Sequence, residues 1–432
     1  MLINRNFSKL WLAAGASNLA DGVGLVAFPW IASLITRDPV AVALVAVFLR
    51  GPWFFFSLPA GVLTDRFDRR RIMVLMDFIR FVVMSAFALT VFFAGDIANI
   101  SDGASRLALL GVLYCAALIF GMCEVLRDNA GQTILPSLVA KHQLEAANGK
   151  FSAVEMLLNG LAGPPIAGFL IGIALFMPLA VNAAAFLFAA IMVLAIVPSP
   201  SQSSRKRAAA ANPTSFWFEL KSGFGWLWRF PILRDLALIL GGVNAAFMMG
   251  VAIYVLFAQE VLGLDAAGYG LLLTAGALGG FIGSFIVPWL GRWLDMRFML
   301  LFAMALMVFE NTAIGLASNF AFAWMVIFIG GIGIVGWNIH TVSFRQRIIP
   351  DALLGRVNSV YRFFGWGMMP LGTLLGGLCV QIVEPFWGRE WALRSPFLLA
   401  AIICGLLGLY AMGRLTRQKI SDAESRAAMS AA

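Results

Sequence analysis

Charge is the first thing this chain lacks. Of its 432 residues only 12% are Asp, Glu, Lys or Arg, about half the share of a soluble domain, and mean hydropathy is +0.88. Such a chain has no polar surface large enough to face water, which excludes an ordinary soluble fold. Imidazole and thiol are scarce too. Two histidines leave little for a His-based metal centre. Cys115, Cys123, Cys379 and Cys404 all fall inside apolar runs, with no ligand or disulfide spacing. No G-x-x-x-x-G-K-[ST] stretch is present to cradle ATP phosphates. Gly331-Ile332-Gly333-Ile334-Val335-Gly336 spells G-x-G-x-x-G, but it sits inside an apolar run with no strand before it and reads as helix packing. No nucleophile, base and orienting group assemble, so the chain is not an enzyme. The first apolar run, about 10–35, is too long for a cleavable signal core.

What is present is apolar length. Hydrophobic residues make up 61%, with 43 Gly that let helices approach closely in lipid. Each membrane crossing needs about 20 such residues. Spans fall near 10–35, 41–63, 72–94, 107–128, 146–172, 175–197, 233–260, 268–290, 298–317, 321–344, 356–382 and 395–413. The fold class is therefore all-α integral membrane, twelve helices in two halves of six. The longest polar interval starts at Pro198-Ser199-Pro200-Ser201 and runs through Arg205-Lys206-Arg207, which reads as a linker. Its second half, 216–230, mixes Phe and Trp with Glu219, Lys221 and Arg229, and reads as a helix lying on the membrane surface. The expected domains are 1–197, a cytoplasmic linker at 198–230, and 231–432.

Placing both termini in the cytoplasm puts most basic residues inside. Arg5, Lys9, Arg66, Arg69, Arg70, Arg71, Arg127, Lys141, the 205–234 cluster, Arg292, Arg297, Arg345, Arg347, Arg356 and the basic residues from Arg414 on fall on that side. Arg37, Arg106, Arg389 and Arg394 fall outside. This is a positive-inside distribution. Spread over every inner loop, the net charge of +9 offers no single nucleic-acid face.

The halves echo one another. Leu135-Pro136, Ala147-Asn148-Gly149 and Gly163-Pro164-Pro165 recur in order as Ile349-Pro350, Arg356-Val357-Asn358 and Pro370-Leu371-Gly372. Repeated halves with a midplane site are a common transporter plan. Between the second and third spans, every position from Asp65 to Arg71 except Phe67 is charged, so the chain must surface there.

With Gly61 four residues before Asp65 and Arg66, Arg69, Arg70 and Arg71 following, this loop resembles the signature of the major facilitator superfamily. The resemblance runs along nearly the whole chain. Through Asn6-Phe7, Asp21-Gly22, Pro29-Trp30 and Arg345-Gln346-Arg347 it is nearest to the bacterial branch of enterobactin-type siderophore exporters and macrolide efflux proteins. It implies that Asp65 and the arginines latch an inner gate. Asp68 stands where a second Gly is usual, so the turn has to be made without it. The plainer alternative is a loop that only fixes topology. A second resemblance is Gly160-Leu161-Ala162-Gly163-Pro164-Pro165-Ile166-Ala167-Gly168, similar to the Gly-Pro run of proton-antiporting exporters, with Ala167 replacing one glycine. The alternative is a common helix kink.

Charges inside spans cost about 2.5–3.5 kcal/mol each at the bilayer centre. Asp21 and Arg50 fall near the midplane of neighbouring spans and are a plausible pair. Glu155 and Glu310 sit near the middle of their spans. Asp77, Arg80, Glu124, Asp128 and Arg362 lie nearer the arginine-rich ends, where pairing or snorkelling accounts for them. Asp21 or Glu155 is the expected carrier of a coupling proton, with Arg50 as its modulator and Glu310 a further candidate; the alternative is permanent ion pairs. The expected activity is proton-driven export of an amphipathic small molecule from the bacterial inner membrane by a monomer. No cofactor beyond the proton gradient is called for. Import of a nutrient and lipid translocation are the competing readings.

Overall fold

Several spans open on an Asx residue whose side chain caps the helix start. In the computed structural model, which describes residues 4–197, 224–349 and 351–431, Asn4 Oδ1 accepts the Phe7 N–H and opens α1 (Arg5–Ile35). Asp38, followed by Pro39 at the first helical position, opens α2 (Pro39–Arg66). Asp68 opens α3 (Arg69–Ala94) by accepting the Arg71 N–H at 2.9 Å. Asp102 opens α4 (Gly103–Ile134). The loop without its second glycine is thus explained. At φ −69° Asp68 needs no glycine, and its carboxylate satisfies a helix-end donor that a glycine could not.

The fifth span is not a plain helix. It runs as α5 (Leu144–Val154), a π-helical stretch Glu155–Ala162, then α6 (Gly163–Ile173). Pro164 and Pro165 have no N–H to donate, and a proline ring crowds the carbonyl four residues back. The wider π turn lies immediately before them and relieves that crowding. The sixth span is α7 (Met177–Leu194). After it come α8 (Pro231–Glu260), α9 (Ala266–Leu290), α10 (Met296–Gly315), α11 (Phe320–Ile348), α12 (Asp351–Arg414) and α13 (Arg417–Ala431).

Among the described residues, 11 helices are long and apolar enough to cross a membrane, counting the fifth span as one. The long α12 holds two crossings. Gly388, at φ 77°, breaks it into two arms, and the separate spans expected at 356–382 and 395–413 fall one on each side. A residue with a Cβ strains at that φ; glycine does not.

The chain forms two compact units. One contains residues 4–197 with 263–274, the other 224–262 with 275–431, as far as the described residues go. In the first, Phe7, Leu10, Met73, Ile134, Leu138 and Val193 form a core at the arginine-rich end. In the second, Leu233, Leu236, Trp337, Phe344 and Tyr361 form the core, and Leu227 joins it. Much of the linker reading, 198–223, lies outside the described residues. Of the aromatic stretch, 224–230 is described. Phe224 and Trp228 stack on one another at 5.1 Å and both stack on Phe364. The outer surfaces carry Phe93, Phe386, Leu406 and Trp293, all well exposed. Large apolar side chains face outwards because the solvent there is lipid.

Candidate functional site

The first unit buries a network of charge halfway along its helices. Arg80, the twelfth residue of α3, is 0% exposed. Its guanidinium donates to Asp21 Oδ1 on α1 at 3.0 Å, to Asp77 Oδ1 one turn back at 2.6 Å, and to Ser17 Oγ at 3.1 Å. Phe186 of α7 lies under the guanidinium plane at 4.2 Å and Phe120 of α4 at 5.6 Å. A fully enclosed cation is held by two carboxylates, a hydroxyl and two aromatic faces.

The network continues into α4. Arg127 Nε lies 3.5 Å from Asp77 Oδ1, Arg127 Nη1 lies 3.6 Å from Asp128, and Arg127 Nη2 donates to Ala13 O. Arg50 of α2 pairs with Glu124 at 3.6 Å. The expected Asp21–Arg50 pair is therefore replaced by Asp21–Arg80 and Arg50–Glu124. Arg80 does not snorkel: it sits too far from either end of α3 and is fully enclosed. Asp21, Asp77, Glu124 and Asp128 outnumber Arg50, Arg80 and Arg127 by one. Of these, Asp21, Asp77, Arg80 and Arg127 are buried, two acids against two guanidiniums, while the Arg50 and Asp128 side chains are 41% and 34% exposed.

The kinked span meets the network at Asp21. A Cβ on Gly22 would come within 2.4 Å of Asn159 O, in the π stretch, and one on Gly163 within 2.6 Å of Gly22 Cα. The backbones of α1 and the fifth span touch here, which is why both residues are glycine. Gly160 falls within the π stretch and Pro164 just beyond it. Gly168 lies against the first turn of α9, where a Cβ would meet Ala266 O at 2.3 Å. The kinked span is thereby packed directly on the backbone beside Asp21.

Glu155 opens the π stretch and is exposed, with no hydrogen bond or ion pair among the described residues. Glu310 belongs to the second unit. Its carboxyl group packs directly on Gly330, where a Cβ would lie 1.9 Å from Glu310 Cδ. It does not join the network of the first unit. In the loop, Gly61 has open space around its Cα. Arg69 donates to Thr64 O and to Thr133 O at 2.8 Å. Arg70 caps the end of α7 through Val193 O and Leu194 O. Arg66 and Arg71 are exposed. The Asp65 side chain lies outside the described residues; its backbone closes the last turn of α2.

A bundle of membrane-crossing helices with charge buried at mid-depth is the architecture of a secondary transporter. Solved structures agree on the fold. A bacterial homologue of the iron transporter ferroportin superposes with TM-score 0.69 at 17% identity, covering 94% of this chain and 98% of its own. The nucleoside transporter NupG superposes with TM-score 0.71 at 12% identity, covering 96% and 100%. The chain belongs to the transmembrane secretion effector family of the major facilitator superfamily, whose profile matches residues 2–430. It is similar to the multidrug efflux pump Tap of Mycolicibacterium fortuitum, at 26% identity over 92% of this chain and 93% of the relative. It is also similar to the enterobactin exporter EntS of Salmonella typhi, at 26% identity over 96% and 95%.

Proposed function

We propose that this secondary transporter exports amphipathic small molecules in exchange for protons, across a bacterial inner membrane with both termini in the cytoplasm. The observation that carries the reading is the buried network around Arg80, in which one enclosed guanidinium is shared by carboxylates on two different helices. Arg80 bridges Asp21 and Asp77 at once. When Asp21 takes a proton, Arg80 keeps Asp77 and the Ser17 hydroxyl but loses its ionic tie to α1. When Asp21 loses it, the bridge re-forms. Because Gly22 is packed against the π stretch, that change reaches the fifth span, and the Gly163-Pro164 kink is the element it bends. Glu155, exposed on the same span, is the alternative proton candidate. Glu310 is an independent candidate in the other unit. Arg66, Arg69, Arg70 and Arg71 with Asp65 form the gate loop.

Export rather than import is the reading that the Gly-Pro run and relatives that are an efflux pump and a siderophore exporter support. Amphipathic drugs, macrolides and siderophores are the substrate classes this implies. The test is accumulation of a fluorescent cationic dye in efflux-deficient bacteria that express the chain. Lower accumulation, abolished by a protonophore, is expected. Lower accumulation that survives the protonophore would rule out proton drive.

A further inference from the structure

On the outer side of the first unit, a groove of about 300 Å³ lies between α3 and α7, lined by Arg70, Arg71, Val74, Leu75, Phe78 and Leu194. It is a separate place from the buried network, and its chemistry is mixed in a specific way. One end is cationic and the wall below it is apolar and open. Leu75 is 54% exposed, Phe78 49% and Leu194 58%. On α3, residues 71, 75, 78 and 82 share one helical face. Arg71 is the third residue of that helix, and Phe78 lies about 10 Å deeper along it at 1.5 Å per residue. That is the depth from a lipid headgroup to its upper acyl carbons.

Among the described residues, the cations are not spent on carboxylates. Arg70 donates Nε to Val193 O at 3.2 Å and Nη2 to Leu194 O, and among the described residues its Nη1 has no acceptor. These carbonyls leave its charge in place. The Arg71 guanidinium has no hydrogen bond or ion pair among the described residues. Asp68, the nearest acid in sequence, spends Oδ1 on the Arg71 backbone N–H. Lys9 adds a third cation to this end, donating to Ala195 O. The N-terminal turn of α3 adds its partial positive charge.

We propose that this groove is a binding site for one anionic phospholipid. The phosphate engages Arg71 and the free face of Arg70, and one acyl chain lies along Leu75, Phe78 and Val82. A zwitterionic lipid offers the same tails with a headgroup that partly cancels its phosphate. A small soluble anion would gain nothing from the apolar wall. Occupancy would tie the start of α3, and with it the charged loop, to the composition of the bilayer. The site stands independently of the direction and coupling of transport.

The test is native mass spectrometry of the full chain in detergent, titrated with phosphatidylglycerol or with phosphatidylcholine of matched chains. The parent is expected to bind the first phosphatidylglycerol more tightly than phosphatidylcholine. Arg71→Gln should weaken that binding about fivefold, the equivalent of about 1 kcal/mol for one basic residue at a membrane surface. Among the described residues the Arg71 side chain has no partner to lose, so the variant should fold. Phe78→Ser should weaken both lipids. Arg106→Gln, a charge lost at the opposite end of the helices, should change neither. Equal binding of the two lipids by the parent, undiminished phosphatidylglycerol binding by Arg71→Gln, or an equal loss in Arg106→Gln would overturn the proposal. Displacement of the lipid by millimolar inorganic phosphate would overturn it too, in favour of a simple anion site.

Discussion

Arg80→Met is the most informative single change to the buried network. The methionine fills much of the space of the arginine stem between Phe120 and Phe186, so packing is largely kept. The charge is what goes. Asp77 keeps Arg127 at 3.5 Å, but Asp21 loses the guanidinium at 3.0 Å that is its one ion-pair partner among the described residues. Breaking a buried pair by removing one member costs about 3–5 kcal/mol. Proton uptake sets a ceiling, because neutralising an aspartate of ordinary pKa at pH 7 costs about 4 kcal/mol. The expected loss at pH 7 is therefore about 3–4 kcal/mol. It should shrink by about 1.4 kcal/mol for each unit the pH is lowered, since protons then supply the missing neutralisation. Adding Asp21→Asn removes the unpaired charge and should restore most of the loss. Reversible unfolding of purified protein in mixed micelles, followed by tryptophan fluorescence between pH 5 and pH 8, measures all three. A variant within about 0.5 kcal/mol of the parent, or a double variant no better than the single, would refute the reasoning.

Gly22→Val should fail to accumulate as folded protein, because the new Cβ meets the Asn159 backbone at 2.4 Å and overpacking against backbone costs about 1–3 kcal/mol or more; size-exclusion profiles of a fluorescent fusion show it. Gly61→Ala has nothing within 4 Å of its new Cβ, so the fold should be untouched and any fall in dye efflux reports on loop motion. Glu155→Gln should leave thermal stability within about 0.5 kcal/mol of the parent while altering the pH profile of transport. Asp295 caps α10 by accepting the Phe298 N–H, which, with Arg417 beside it, holds its carboxyl below the ordinary range. Asp295→Ala should cost about 1 kcal/mol. A lowered pKa means that this contribution is present above about pH 4 and is lost as pH falls below it, which unfolding curves at pH 7 and pH 3 would compare.

The spans were legible because composition and run length decide a membrane helix almost alone. Even the break between the last two crossings shows in the sequence, at Gly388 between charged and aromatic residues. The π stretch was less legible. The Gly-Pro run marks a kink, but not that the crowding ahead of the prolines is relieved by a π stretch, nor that Gly22 of another helix packs against it. The network was half legible. Asp21 stood out as a mid-span charge. Its partner did not, because pairing Asp21 with Arg50 assumed that consecutive helices face one another with their polar sides. Arg50 instead turns to Glu124, and Asp21 meets α3. One signal was available. Asp77 and Arg80 are three apart on one face of a 26-residue apolar helix, and a charge pair placed that deep is too costly to be incidental. Asp68 was legible as a departure from a family pattern and became intelligible as a helix cap once its carboxylate was seen on the Arg71 N–H.

The central claim, that proton movement through Asp21 drives transport, is tested most directly in proteoliposomes. Dye movement driven by an imposed pH gradient should be compared with passive dye counterflow, in the parent and in Asp21→Asn. Coupling through Asp21 predicts that the variant keeps counterflow and loses the gradient-driven component. Gradient-driven movement at the parental rate in Asp21→Asn would contradict it.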